Sequence, residues 1–248
     1  MKKFFVSVIN ECTKLLHRKK YLVFLLIGIA ISLFNVLGKT VVGRLSGGSF
    51  NISGSSAPMA MMTLFIEFLI PLVVMMAVCD LFSTEYQEMT MKAVLIRPVS
   101  RIKIYASKLT AVTLLALVYL LVLFAASGVL DLLIAGKIRS LGYAFFAYLL
   151  DIVPMFVVIL MAAFINQIGK GSTLAMFLCI IVYGVLYVAG IFIPNLSGML
   201  FTGYMKWHSL WLGHMLPVGA LTAKTALLAG YALVFFSGGY YLFLRREI

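Results

Sequence analysis

Two carboxylates stand alone inside long apolar runs, Glu67 between Pro58 and Cys79 and Asp151 between Tyr143 and Ile165. A carboxylate at the middle of a membrane costs about 2.5–3.5 kcal/mol on insertion scales, so each must face protein or water. Such a group is either neutral or bonded to Tyr, Ser or Asn on a neighbouring helix, or it lines a polar path that favours cationic or amphipathic molecules. Pro71 and Pro154 follow closely; each removes a helix donor and can kink the chain. Glu67 and Asp151 lie a similar distance from the same ends of their runs, which predicts a shared depth.

A second group is Trp207, His208, Trp211 and His214, within a stretch from Pro194 to Ala223 that is broken by Gly198, Gly203, Gly213, Pro217 and Gly219. One reading is an aromatic belt at the interface; the other is an outer gate over a path. His208 and His214 are six apart, which does not give the one-face i, i+4 pair of a helical metal site. The expectation is interfacial hydrogen bonding and no metal.

The third group lies between Asp80 and Lys108. Ser83 or Thr84 can cap a short helix with Glu85 and Glu88 in its first turn. Lys92 follows Glu88 by four, in the favourable ion-pair order. Met89, Ala93 and Ile96 share a face, and Pro98 ends the helix.

Other chemistry lacks its residues. None of the Gly-Lys pairs has the Gly that a phosphate loop needs five residues earlier: Leu33 precedes Gly38-Lys39, Asp131 precedes Gly136-Lys137, and Phe164 precedes Gly169-Lys170, where Gly171 also replaces the Ser or Thr. There is no G-x-S-x-G and no H-E-x-x-H. Cys12, Cys79 and Cys179 have no metal spacing and read as small apolar fillers.

The elements that hold these groups follow from composition. Of 248 residues, 63% are hydrophobic and 11% charged, and mean hydropathy is +1.10. A soluble domain would be about half apolar and a quarter charged. The class is therefore an all-α polytopic membrane protein, a single domain over 1–248. Six runs are long enough to span: 21–38, 58–79, 109–130, 143–165, 172–193 and 225–244. Phe4, Phe5, Val8, Ile9, Cys12, Leu15 and Leu16 recur at helical spacing before the first run, as an amphipathic helix lying on the membrane surface. With both termini inside, fourteen of the twenty Lys and Arg residues fall on the inner side. The net charge of +12 therefore reads as membrane orientation rather than nucleic-acid binding. The Gly- and Ser-rich stretch 39–57 reads as an outer loop, and 194–223 as a re-entrant segment between spans five and six.

Glu85 through Thr90, then Leu95, Arg97-Pro98-Val99-Ser100-Arg101 and Lys108, resemble the membrane subunit of ABC exporters of the ABC-2 type. The resemblance extends to the amphipathic N-terminal helix, six spans and re-entrant segment; Met89 stands where that family commonly has Gly. It implies that the 80–108 loop carries a cytoplasmic coupling helix that docks on a separate ATPase. Glu85, Glu88, Met89, Lys92, Arg97 and Arg101 are the docking candidates. It implies two ATPase subunits, which bind ATP and Mg, a second permease subunit as homodimer or related chain, and a bacterial cell membrane with both termini cytoplasmic. The expected cargo is a peptide, drug or other amphipathic molecule. The alternatives are an ATP-independent secondary transporter or channel, which calls for internal repeats with matching broken helices, and an intramembrane enzyme, which calls for a convergent catalytic set.

Overall fold

The computed structural model describes residues 2–45, 56–88, 100–135, 141–169, 171–212 and 217–245. Among these there is no strand, and six helical stretches are long and apolar enough to cross a membrane. The expected class is observed. Span one is Lys19–Leu45, span two Ala57–Gln87, span three Arg101–Ala135, span four Leu141–Ile168, span five Ser172–Phe192 and span six Val218–Arg245.

Span four is the hub. It packs on spans two, three, five and six, and its face toward them is closed by Met155, Val158, Ile159, Ala162 and Ala163. Spans one, five and six carry exposed apolar flanks, among them Phe34, Phe177, Val185, Leu233 and Val234. Such flanks suit lipid, which has no water to satisfy polar groups.

Several boundaries differ from the sequence expectation. Span one continues as helix through Leu45, into the stretch read as a loop from residue 39. Lys39 ends the apolar run, but a charge does not interrupt backbone hydrogen bonding. Span two likewise runs past Cys79 to Gln87. Ser83 and Thr84 are therefore not caps of a separate helix. Ser83 donates to Asn166 Oδ1 at 2.7 Å in span four, and Thr84 lies 3.1 Å from the Ser172 hydroxyl at the start of span five. Tertiary partners have displaced local capping.

Span two contains two π-helical turns, Phe65–Leu69 and Asp80–Thr84. Such turns insert a residue and re-aim the side chains around it. Span four is two helices, Leu141–Leu150 and Ile152–Ile168, joined at Asp151. Pro154 falls in the first turn of the second, where its missing N–H needs no partner.

Helix α1, Lys2–Leu16, lies against span three. Its apolar residues divide between two surroundings. Val8 and Leu15 are buried with Glu11 against the bundle, while Phe5, Ile9 and Leu16 remain exposed. One end of the bundle, here the basic end, gathers α1, Arg18, Lys20, Lys108 and Glu85. At the far end the chain between spans five and six breaks into three short pieces, Pro194–Ser197, Phe201–Tyr204 and Trp207–Leu210.

Candidate functional site

At the basic end the network centres on Lys108, whose side chain is 0% exposed. Its ammonium has three donors and three acceptors surround it: Glu85 Oε2 at 2.7 Å, the Leu81 carbonyl at 2.9 Å and Glu11 Oε2 at 3.3 Å. Lys14 bridges the other oxygens, at 2.8 Å to Glu85 Oε1 and 3.2 Å to Glu11 Oε1. Burial pushes the Lys14 ammonium down. The hydrogen bond to Glu85 and the charges of Glu11 and Glu85 outweigh burial and hold its pKa above the usual lysine value. One turn earlier, Asp80 takes Arg18 at 3.0 Å, Lys20 at 2.7 Å and the Tyr21 hydroxyl. α1 and the start of span one are thus tied to the last two turns of span two. Removing the fully buried Lys108 from this set costs about 3–5 kcal/mol, whereas the half-exposed Lys14, Arg18 and Lys20 contribute less.

The docking candidates are dispersed by this arrangement. Glu85 is buried inside the network, whereas Glu88 is exposed at the helix end. Arg101 donates from Nη1 to the Leu244 carbonyl at 3.2 Å, satisfying an orphan acceptor of span six. Met89, Lys92 and Arg97 lie outside the described residues.

Glu67 sits within the first π turn of span two. Pro71 has no N–H to give the Glu67 carbonyl four residues back; the Tyr183 hydroxyl donates to that oxygen at 2.8 Å. One turn along span five, Tyr187 donates to Glu67 Oε2 at 2.7 Å. Lys206, from the chain between spans five and six, reaches Oε1 at 3.1 Å. The Glu67 side chain is 13% exposed and that of Lys206 46%. Around them opens a cleft of about 310 Å³ with Thr202, Gly203, Met205 and Ile191 in its walls. A Cβ on Gly203 would run into the Ser197 carbonyl oxygen, so the turn that closes this cleft requires glycine.

Asp151 is organised differently. Its carboxylate is 0% exposed and is held by the turn at Trp207 and His208. Oδ1 accepts the His208 backbone N–H at 2.7 Å, and Oδ2 lies 2.8 Å from His208 Nδ1. Trp207 is buried beside His208 and meets Tyr204 edge to face. Trp211 is exposed, and His214 lies outside the described residues. The four aromatic and imidazole side chains therefore do not form one cluster: Trp207 and His208 face inward and Trp211 outward. Nor do Glu67 and Asp151 meet at a common site among the described contacts; each has its own partners on the 194–212 chain.

The residues that sequence reasoning left without a role were Lys206, Tyr183, Tyr187, Glu11, Lys14 and Asp80. Tyr183 and Tyr187 are a readable signal, a polar pair four apart in an apolar span. Lys206 is not, because nothing local reveals that it folds back onto span two. Cys79 and Cys179 are buried, and Cys179 Sγ accepts from Asn166 Nδ2 at 3.4 Å. Among the described residues no three His, Cys, Asp or Glu side chains gather closely enough to hold a metal ion.

The family model for ABC-2 family transporter proteins matches residues 7–187, from α1 into span five. The chain belongs to the ABC-2 transporter family. It is a multi-pass membrane protein and an ABC permease, and the family implies association with an ABC ATPase. No match to a curated protein was found. The matched region contains the basic-end network, Glu67 with both its tyrosines, and Asp151; Lys206 and His208 lie beyond it.

Proposed function

We propose that this chain is the membrane subunit of an ATP-driven exporter. The single observation that carries the reading is the family match over residues 7–187. Two copies, or one copy and a related chain, form the path, and two ATPase subunits bind the ATP and Mg. The basic end faces the cytoplasm of a bacterial cell, with both termini there, in line with the excess of Lys and Arg on that side.

The 88–101 connection is the docking element, with Glu88, Met89, Lys92, Arg97 and Arg101 at its contact region. Glu85 serves from below, anchoring the root of that connection to Lys14 and Lys108. ATP-driven closure of the ATPases presses on the connection and shifts the bundle between two states. At the far end the 194–223 stretch acts as a re-entrant outer gate. Phe201 packs on Tyr231 and Phe235, well inside span six, which supports that placement. Glu67 faces the path. Asp151, with its oxygens taken by His208, holds the gate in place. The cargo is a peptide, drug or other amphipathic molecule.

The test is a mild-detergent pulldown of tagged protein from its native host with quantitative mass spectrometry. A near-equimolar protein with a phosphate-binding loop is expected, and it is expected to be lost from an E88K/R101E variant. Recovery of the chain with no ATPase across several detergents would overturn the assignment of an ATP-driven exporter.

A further inference from the structure

We propose that the cleft around Glu67 binds the ammonium or guanidinium group of the exported molecule, and that Lys206 is the tethered occupant this group displaces. The proposal rests on the permease reading and names a substrate class for it: amphipathic organic cations.

The geometry of the pair carries the argument. Glu67 is fixed from three sides. Its helix turn is π-helical, its carbonyl is held by Tyr183, and Oε2 is held by Tyr187. Only Oε1 meets a group that can leave. Lys206 reaches it on a flexible four-carbon stem, and nearly half of its side chain is exposed. A half-exposed ion pair of this kind contributes little, about 0–1 kcal/mol.

A carboxylate in an apolar span is nonetheless rarely left without a polar or charged partner. Exchanging one ammonium for another leaves the charge of the site unchanged and never strands Glu67. An anion would be repelled, and a neutral ligand would have to break the pair without replacing it. The walls suit the rest of such a molecule. The Thr202 hydroxyl donates to the Leu186 carbonyl at 3.2 Å, which leaves its oxygen free to accept from an arriving cation. Ile191 and Met205 offer apolar surface to a hydrocarbon body. A volume of about 310 Å³ is that of a small-molecule pocket.

A competitor built into the chain lowers apparent affinity by the fraction of time it leaves the site open. If Lys206 fills the site about four-fifths of the time, a free cation binds about fivefold more weakly than it would to an empty site. Removing the competitor should therefore tighten binding, whereas a merely structural ion pair would show no gain when broken.

The experiment uses the full chain in phosphatidylcholine nanodiscs, without ATPase or nucleotide. The probe is dansylcadaverine, a primary ammonium on a five-carbon stem with a fluorescent apolar body, and empty discs are subtracted. Saturable binding is expected, about fivefold tighter in K206Q, unchanged in K206R, and at least tenfold weaker in E67Q. The dansyl amide of pentylamine, which lacks the cation, should not distinguish the four proteins. Equal affinity in K206Q and K206R would overturn the proposal even if E67Q failed to fold, and so would full affinity in a folded E67Q. Because the assay contains no ATPase, failure of the pulldown would strike the exporter reading and leave this site standing. An unaltered K206Q in a chain that does recruit an ATPase would remove the site alone.

Discussion

Glu67 and Asp151 share a description in the sequence: one carboxylate, one nearby proline, one apolar run. Their surroundings are opposite. Asp151 has its oxygens on the backbone of Trp207 and His208 and on the His208 ring, has no exposure, and sits at the joint between two half-helices. Glu67 has its oxygens shared between a tyrosine of span five and a mobile-stemmed lysine, and it borders open volume. The difference teaches that exposure of the partner, not of the carboxylate, separates a fastening from an exchangeable site. His208 cannot leave Asp151 without dragging its own backbone N–H along. Lys206 can leave Glu67 by rotating its side chain.

The largest expected effect is at the fastening. Asp151→Ala should cost about 2–5 kcal/mol in a denaturant titration of the detergent-solubilised protein, because the backbone N–H and the ring of His208 lose their common acceptor, at about 1–3 kcal/mol for each buried donor. A loss below about 1 kcal/mol would show that the joint is not held by this pair. Gly203→Ala should rank next, at about 1–3 kcal/mol in the same titration, since its Cβ forces the turn off the Ser197 carbonyl. Glu67→Gln should leave stability within about 1–2 kcal/mol, because the Tyr187 hydroxyl can still donate to the amide oxygen. It should nevertheless abolish most ATP-dependent transport of an amphipathic cation in reconstituted vesicles. Equal transport by this variant and the parent would erase the functional half of the comparison. The smallest change is Lys206→Gln, which should alter unfolding free energy by no more than about 1 kcal/mol. A large destabilisation there would place Glu67 in the same class as Asp151.

The six spans were legible because 20-residue apolar runs bounded by charges leave few alternatives to a membrane helix. Their ends were not. Lys39 and Asp80 stop the hydropathy but not the helix, and span two continues to Gln87 because Ser83, Thr84 and Glu85 find partners on spans four and five, α1 and span three. At the site, Glu67 and Asp151 were visible as isolated charges, whereas their partners Lys206 and His208 arrive from more than fifty residues away. The surface-helix pattern of α1 was read correctly as amphipathic, but Glu11 interrupts its inner face. No single-helix argument places that carboxylate beneath Lys108. Long-range pairing of charges is set by the assembled bundle, and local spacing carries no record of it.

The bond between Tyr183 and the Glu67 carbonyl has a mechanical consequence. A proline in a membrane helix usually makes a soft spot, since one carbonyl is left to seek a donor. Here the donor belongs to another helix. Rolling span five about its axis would take that oxygen from its donor, at about 1 kcal/mol or more. Bending span two at Pro71 would break the same bond. That bond therefore ties the bend of span two at Pro71 to the roll of span five, so that neither helix can turn there without the other giving up a hydrogen bond.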